Sequence, residues 1–506
     1  MPSRTIHVAE ALEESVPRMT YLDRDLEKGV VATALKQAGP LPIKSFPRYR
    51  DRVTWLAVLS KGLPDTVSVS GLKYLFNGHE NKSRRMVWLV VLLAAMGVMG
   101  YQIFDRCRYF AGHPKSVDVE INYVTELTFP TVALCNYNNF RRTELEDHVD
   151  FLSLLMETYN ANYGFNRVNY TKYLTTLGNV NSSELYYNLS HKIEDSFVYG
   201  FWGTELLTPQ NFSFDIFDFG VCFTFNTGTN GVEPLKIDTS GKTYGLGLIL
   251  DAQQWDYYYS SDFHRVSSGF QVMVYDRNEV PLVSELGFAV GPGTENLVGL
   301  EIREVNNLPP PHGVCGSKPL KYYSHYTSSG CREECQTDFV VRECGCREPH
   351  MPGHAKVCNP VDLYTCAATA RANFISTESH NCECPVPCYS LTYEPVLSQA
   401  HFPSSFWASS LSELYRQSLN ITVDSTYFGN NMVFINLFFK ELSIEKITQQ
   451  EAYPFFSLLC DIGGAMGLWL GGSILTVFEV FDLFSHSTYF YYTRLARRRP
   501  KTLFSK

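Results

Sequence analysis

Nineteen consecutive residues from Met86 to Phe104, MVWLVVLLAAMGVMGYQIF, carry no charge, and their apolar positions cover every face of a helix rather than one stripe. At 1.5 Å of rise per residue such a helix fits about 30 Å of hydrocarbon, which predicts a membrane span at 86–104. A second apolar stretch, 453–484, predicts another span, but its pattern is interrupted by Asp461, Glu479 and Asp482 and by glycines at 463, 464, 467, 471 and 472. A plain anchor needs neither feature: an intramembrane carboxylate costs about 3 kcal/mol, and each glycine inside a helix about 1 kcal/mol.

Between the two stretches the period of the pattern changes. YVTELTFPTVAL (123–134) is rich in β-branched and aromatic residues and predicts a strand interrupted at Pro130. Residues 144–165 and 182–195 carry helical apolar spacing. VCFTFNTG, YGLGLILDA, GFQVMVYD and LVGLEIREV alternate roughly at period two and end near turn-forming residues, predicting short strands. A cysteine-dense stretch, 315–388, holds two short predicted helices, 331–343 and 360–373, and NMVFINLFFKEL reads as a strand leading to the second span. The fold class expected is a membrane protein with two transmembrane helices flanking a large, disulfide-rich, β-based α+β extracellular domain.

Charge orients this arrangement. Lys82, Arg84 and Arg85 precede the first span, and Arg494, Arg497, Arg498, Arg499 and Lys501 follow the second, so the positive-inside rule puts both termini in the cytoplasm. The acidic first thirty residues contain no apolar run and so no cleavable secretory signal. The domains expected are a cytoplasmic segment 1–85, a span 86–104, an extracellular domain 105–452, a span 453–484 and a basic cytoplasmic tail 485–506, in a plasma-membrane protein. Residues 105–452 carry 23 Lys and Arg against 40 Asp and Glu, a net charge of about −17. Such a surface concentrates cations and argues against nucleic acid as a partner.

Twelve of the 14 cysteines lie between 135 and 388, an even number that reads as disulfides in an oxidising compartment and disfavours zinc at Cys331, Cys335, Cys382 and Cys384. Glycosylation sequons begin at Asn169, Asn181, Asn188, Asn211 and Asn420, all in the same region. Two helices alone cannot enclose a water-filled path, so a pore would require several chains.

The motifs LTFPTVALCNYNNF, GVCFTFN, LPPPHGVC, GCREEC, CGCREPHMPG, CECPVPC and DIGGAMGLWLGGSILTVFEVFD, in this order, resemble the degenerin and epithelial sodium channel family, and most of all its acid-sensing ion channels. The resemblance runs from about Ser70 to Phe484. It implies a homo- or heterotrimer with related subunits and a hand-like extracellular domain, conducting sodium ions in the plasma membrane and blocked by amiloride, with no cofactor. It assigns Gly471, Gly472 and Ser473 to a selectivity filter of main-chain carbonyls, with Gly472 where acid-sensing channels usually have Ala. Asp461 corresponds to an acid at the outer mouth, Glu479 and Asp482 to acids at the inner end, and Cys460 and Gly464 to the gate, where the glycines let helices cross closely. Ser70 and Gly71 stand at the His-Gly gating motif, with Ser replacing His, and Leu442 and Ser443 at the desensitising linker, with Ser replacing Asn. The pairing implied is Cys135 with Cys222, Cys315 with Cys388, Cys331 with Cys384, Cys335 with Cys382, Cys344 with Cys366, and Cys346 with Cys358.

The resemblance is weaker for the stimulus. Acids that crowd together in acid-sensing relatives are replaced by Asn139, Ala368, Ala372 and Asn436, whereas Glu120 and Glu445 remain. At the joint between span and outer domain, His113 and His312 replace a Tyr and a Trp, which makes them candidates for sensing pH or a metal. Protons are therefore the leading ligand, with an extracellular peptide or a constitutive leak as alternatives. A tethered enzyme is disfavoured, since the chain has neither a nucleophile elbow nor an HExxH pattern. A membrane-tethered receptor or adhesion ectodomain would explain disulfides and glycans, but not Gly471-Gly472-Ser473 or acids within a span.

Overall fold

The computed structural model describes residues 67, 69–76, 81–162, 168–228, 233–258, 266–378, 382–419 and 422–497. The sequon at Asn420 and the basic tail beyond residue 497 lie outside them. The chain divides into two compact units, Gly97–Met466 and the combination of Met1–Met96 with Gly467–Lys506.

The larger unit is built on strands β1 (Lys115–Tyr123), β2 (Leu127–Thr128), β3 (Thr131–Asn136), β4 (Phe197–Trp202), β5 (Glu205–Leu206), β6 (Phe212–Phe217), β7 (Gly220–Phe225), β8 (Lys236–Ile237), β9 (Leu246–Asp251), β10 (Phe270–Tyr275), β11 (Phe288–Val290), β12 (Thr294–Asn306), β13 (Tyr389–His401) and β14 (Met432–Glu451). One sheet has the order β13-β12-β14-β9-β4-β5, with β1 also paired to β14, and a second has the order β11-β10-β3-β7-β6. β14 is the shared rail: its first six residues pair with β9 and its last nine with β1, while β12 runs parallel along its other edge.

Alternation in sequence becomes two-sided burial. Val433, Ile435, Leu437 and Phe439 of β14, Leu246, Leu248 and Leu250 of β9, and Val298, Leu300 and Ile302 of β12 all face one core with Val132, Leu134, Phe223, Phe225, Phe270 and Val272 of the second sheet. Each such side chain is worth about 1.5–3 kcal/mol when fully buried. A helical satellite core gathers Leu145, Phe151, Leu154, Leu155, Leu185 and Leu189. To send both Leu145 and Phe151 into it, the helix expected at 144–165 is divided into Arg142–Glu146 and Val149–Asn162.

Six disulfides close the larger unit: Cys135–Cys222, Cys315–Cys388, Cys331–Cys384, Cys335–Cys382, Cys344–Cys366 and Cys346–Cys358. The first joins directly opposed residues of β3 and β7, and four of the others anchor the Ser328–Cys344 helix or the loop after it. That helix starts before the expected 331 because the Thr327 hydroxyl accepts the Gly330 N–H at 3.0 Å, and it ends at Gly345, whose φ of +67° favours glycine.

In the smaller unit, Leu72–Phe76 forms one short helix ahead of the Lys82–Ala111 helix, which begins there. Lys82–Ala111 is the one unbroken helix among the described residues that is long and apolar enough to cross a bilayer. Met86, Val87, Val90 and Leu93 along it are each more than half exposed, as suits a helix bathed in lipid. The second apolar stretch is broken into Phe455–Leu470 and Ile474–Arg497, and the chain bends by 76° at the break.

Candidate functional site

Gly471-Gly472-Ser473 occupies the break. Gly471 has φ +66°, a conformation that costs an L-residue about 1–2 kcal/mol, and its N–H still donates to the Gly467 carbonyl at 3.0 Å. The Leu470 carbonyl, which no further helical turn can satisfy, accepts instead from the Ser70 N–H at 2.9 Å. Ser70 is so close that a Cβ on Gly471 would lie 2.3 Å from its hydroxyl oxygen. Gly472 differs: a Cβ there would make ordinary contact with Thr476 at 3.7 Å. Thr476 in turn caps the next helix, its hydroxyl accepting the Ser473 N–H at 3.0 Å while its own N–H donates to the Ser473 carbonyl at 2.9 Å.

Ser70 is held in place from behind. Gly71, at φ +89°, packs so tightly that an added Cβ would meet the Trp88 ring at 3.0 Å. Tyr74 stacks on Trp88 with centroids 4.9 Å apart, and the Arg84 guanidinium lies over the Tyr74 ring. The Ser70-Gly71 turn and the glycine triplet thus form one arrangement. Glu479 and Asp482, three residues apart, share a helix face below it.

In the larger unit, Asp461 accepts a hydrogen bond from the Tyr453 hydroxyl, and Tyr453 packs edge-on against Tyr109 at 5.3 Å. Phe110 and Phe455 add a contact between the Lys82–Ala111 and Phe455–Leu470 helices. Cys460 is an exposed free thiol. Around Gly463 and Gly464 a Cβ would meet nothing within 4 Å, so packing inside one chain gives no reason for either glycine.

His113 and His312 meet at the base of β1, ring centroids 4.9 Å apart and nearly perpendicular. His113 has φ +47°, its Nδ1 is buried without a partner, and His312 Nδ1 lies 3.6 Å from Glu451. Among the described residues no three His, Cys, Asp or Glu side chains converge well enough to hold a metal ion. Glu120 and Glu445 join neither histidine nor each other. Glu120 stands opposite Lys446 and Glu445 opposite Ile121 in the β1–β14 register, so alternation sends them to opposite faces. Arg303 donates to Glu445 at 2.8 Å and also holds Glu394, an ion pair that sequence spacing could not reveal.

Leu442 and Ser443 lie in a large bulge. Leu300 pairs with Phe439 and Ile302 with Ile444, so four residues of β14, 440–443, oppose Glu301 alone. The bulge carries Leu442 against the core and places Ser443 opposite Tyr123. Asn139 and Ala368 line one cavity with Arg371, and Asn436 is buried, its amide donating to the Lys242 carbonyl at 3.2 Å. The sequon residues Asn169, Asn181, Asn188 and Asn211 are all exposed.

Against known proteins, residues 64–483 match the sequence model of the amiloride-sensitive sodium channel family. The chain is 30% identical to acid-sensing ion channel 1 of Gallus gallus over 436 residues, covering 82% of this chain and 81% of the relative. It is 31% identical to acid-sensing ion channel 1C of Danio rerio over 434 residues, with 82% and 81% covered. With acid-sensing ion channel 2 of Homo sapiens the identity is 29% over 439 residues, covering 83% and 84%. The chain is thus an ion channel of the membrane and not an enzyme, and it belongs to the amiloride-sensitive sodium channel family.

Proposed function

We propose that three copies of this chain form a sodium-selective, amiloride-blocked channel in the plasma membrane, with both termini in the cytoplasm, opened from outside by protons. The observation that carries the reading is the helix break at Gly471-Gly472-Ser473, where glycine geometry and a cap borrowed from Ser70 free a stretch of backbone inside an apolar span. In this reading Asp461 attracts cations at the outer mouth and Glu479 and Asp482 at the inner end, while Cys460 and Gly464 stand at the gate.

Assembly is supported by surfaces that one chain leaves uncovered. Val117, Val119, Ile121 and Tyr123 form an apolar stripe on β1, each more than half exposed. The open space beside Gly463 and Gly464 has the same character, offering room for neighbouring helices.

Proton opening is supported by the similarity to acid-sensing relatives and by the His113–His312 pair at the joint. A peptide ligand is the second reading, favoured by Asn139 and Ala368, which stand where the resemblance calls for acids in a cavity that keeps Asp218 and Glu348. Expression in a cell free of such currents decides the matter. Stepping external pH from about 7.4 to about 5 should evoke an amiloride-sensitive current that vanishes when K⁺ replaces Na⁺. Current at rest or with peptide alone would select the alternatives, and no current under any stimulus would end the reading.

A further inference from the structure

Glu333 and Glu334 are neighbours on the Ser328–Cys344 helix and both are buried, but their carboxylates are treated differently. Glu334 accepts the N–H groups of Lys321 and Tyr322. One oxygen of Glu333 is fully buried with no hydrogen-bond partner, and so is one oxygen of Glu348 on the loop that follows. The bare oxygen of Glu333 faces His350, whose side chain is only 10% exposed, whereas the Glu348 oxygen toward His350 is its other one, which already accepts from Arg371. His350 Nε2 lies 3.6 Å from Glu333 and its Nδ1 4.0 Å from Glu348. A buried carboxylate oxygen without a donor is costly, and the bare oxygen of Glu333 points toward His350 Nε2.

We propose that Glu333, His350 and Glu348 form a buried proton-binding site, in which one proton from the external solution is held between the Glu333 carboxyl and His350 Nε2. On uptake the Glu333 hydroxyl donates to Nε2, supplying the hydrogen bond that the oxygen lacks. A metal ion is a poor occupant because the carboxylates address opposite nitrogens of one ring and do not converge.

Asp215, Asp218, Arg277, Glu279 and His325 line the same cavity as Glu333 and His350. Asp218, at the turn after β6, adds negative charge but is itself satisfied by the Val283 and Ser284 N–H groups. Arg371 donates to Glu348 at 3.2 Å and so steadies that carboxylate, while Arg347 and Arg371 disfavour charge on His350. Arg332 favours the ionised Glu333, and Tyr323 lies beside it. Burial dominates, with Asp218 and Glu348 adding to it, and Glu333 is pushed up to about 7. Burial likewise presses His350 down to about 3, so the imidazole is neutral and able to accept. Cys344–Cys366 and Cys346–Cys358 pin both sides of the loop that carries Glu348 and His350.

The test needs no current, so it stands or falls separately from proton opening of the pore. Glu333 binds a proton more tightly folded than unfolded, so its contribution to stability is complete at low pH and is lost as pH rises through about 7. His350 works in the opposite direction over part of that range, so the readout is the difference between wild type and E333Q in the purified full-length chain. Between about pH 5 and about pH 7 the wild-type folding equilibrium should fall relative to E333Q by up to about tenfold per pH unit, and by nothing further above. Parallel profiles would overturn the site. Should E333Q fail to fold, infrared difference spectra of the wild type must show a protonated-carboxyl band that vanishes with a midpoint near 7; its absence would also overturn the site.

Discussion

At the residue scale the two glycines of the proposed filter make opposite demands. Gly471→Ala should abolish most of the current at unchanged surface expression, since the new methyl group meets both an unfavourable backbone and the Ser70 hydroxyl. G471A/S70A removes the clash but keeps about 1–2 kcal/mol of backbone strain, so partial recovery is expected. Gly472→Ala should conduct as the wild type does, because its methyl group has room beside Thr476. A conducting G471A or a silent G472A, in whole-cell recording, would contradict this account. His113 and His312 give a separate expectation. H113Y/H312W should flatten any response of the current to external acidification, because it removes the ring pair at the base of β1, and an unaltered pH profile would exclude the pair as sensors. The glycines and histidines were legible in the sequence through the family resemblance, which ties each to a motif position. The Ser70–Leu470 bond and the Glu333–His350–Glu348 cluster were not, since each depends on which distant segments meet.

At the element scale, alternation made strands such as Leu246–Asp251 and Phe270–Tyr275 readable to within about two residues, because one face of each had to be apolar. Two features escaped that logic. The four-residue bulge of β14 shifts the inward phase from Val433, Ile435, Leu437 and Phe439 to Leu442 and Ile444, a change that reading NMVFINLFFKEL as one strand passes over. The wide helical turn at Leu363–Ala367 hides inside what reads as a simple helix at 360–373, and a second one, Phe374–Glu378, carries the chain past that helix's expected end. The disulfide pairs came from family resemblance, since twelve cysteines allow many pairings. Cys344–Cys366 closes a separation of 22 residues, so C344A/C366A should lose about 3 kcal/mol of stability, seen as a lower thermal midpoint of the purified protein. An unchanged midpoint would mean that packing of Val340, Leu363 and Ala367 holds this corner without the bridge.

At the scale of the whole molecule, the chain carries an acidic stretch at 105–452 and, among the described residues, apolar helix surfaces and an apolar stripe on β1 left exposed. Chemical cross-linking of detergent-solubilised protein should stop at three copies. I121E should shift the product toward single chains, because a charge within that stripe would be desolvated on assembly. Cross-linking that stops at one copy in the wild type would rule out a pore built between chains. The hold of Ser70 on the Leu470 carbonyl joins the two ends of the chain at the point proposed as narrowest. Whatever tugs on the segment ahead of the first apolar helix, whether a bound protein, a modification or a protease cut, would loosen a main-chain carbonyl at the proposed filter.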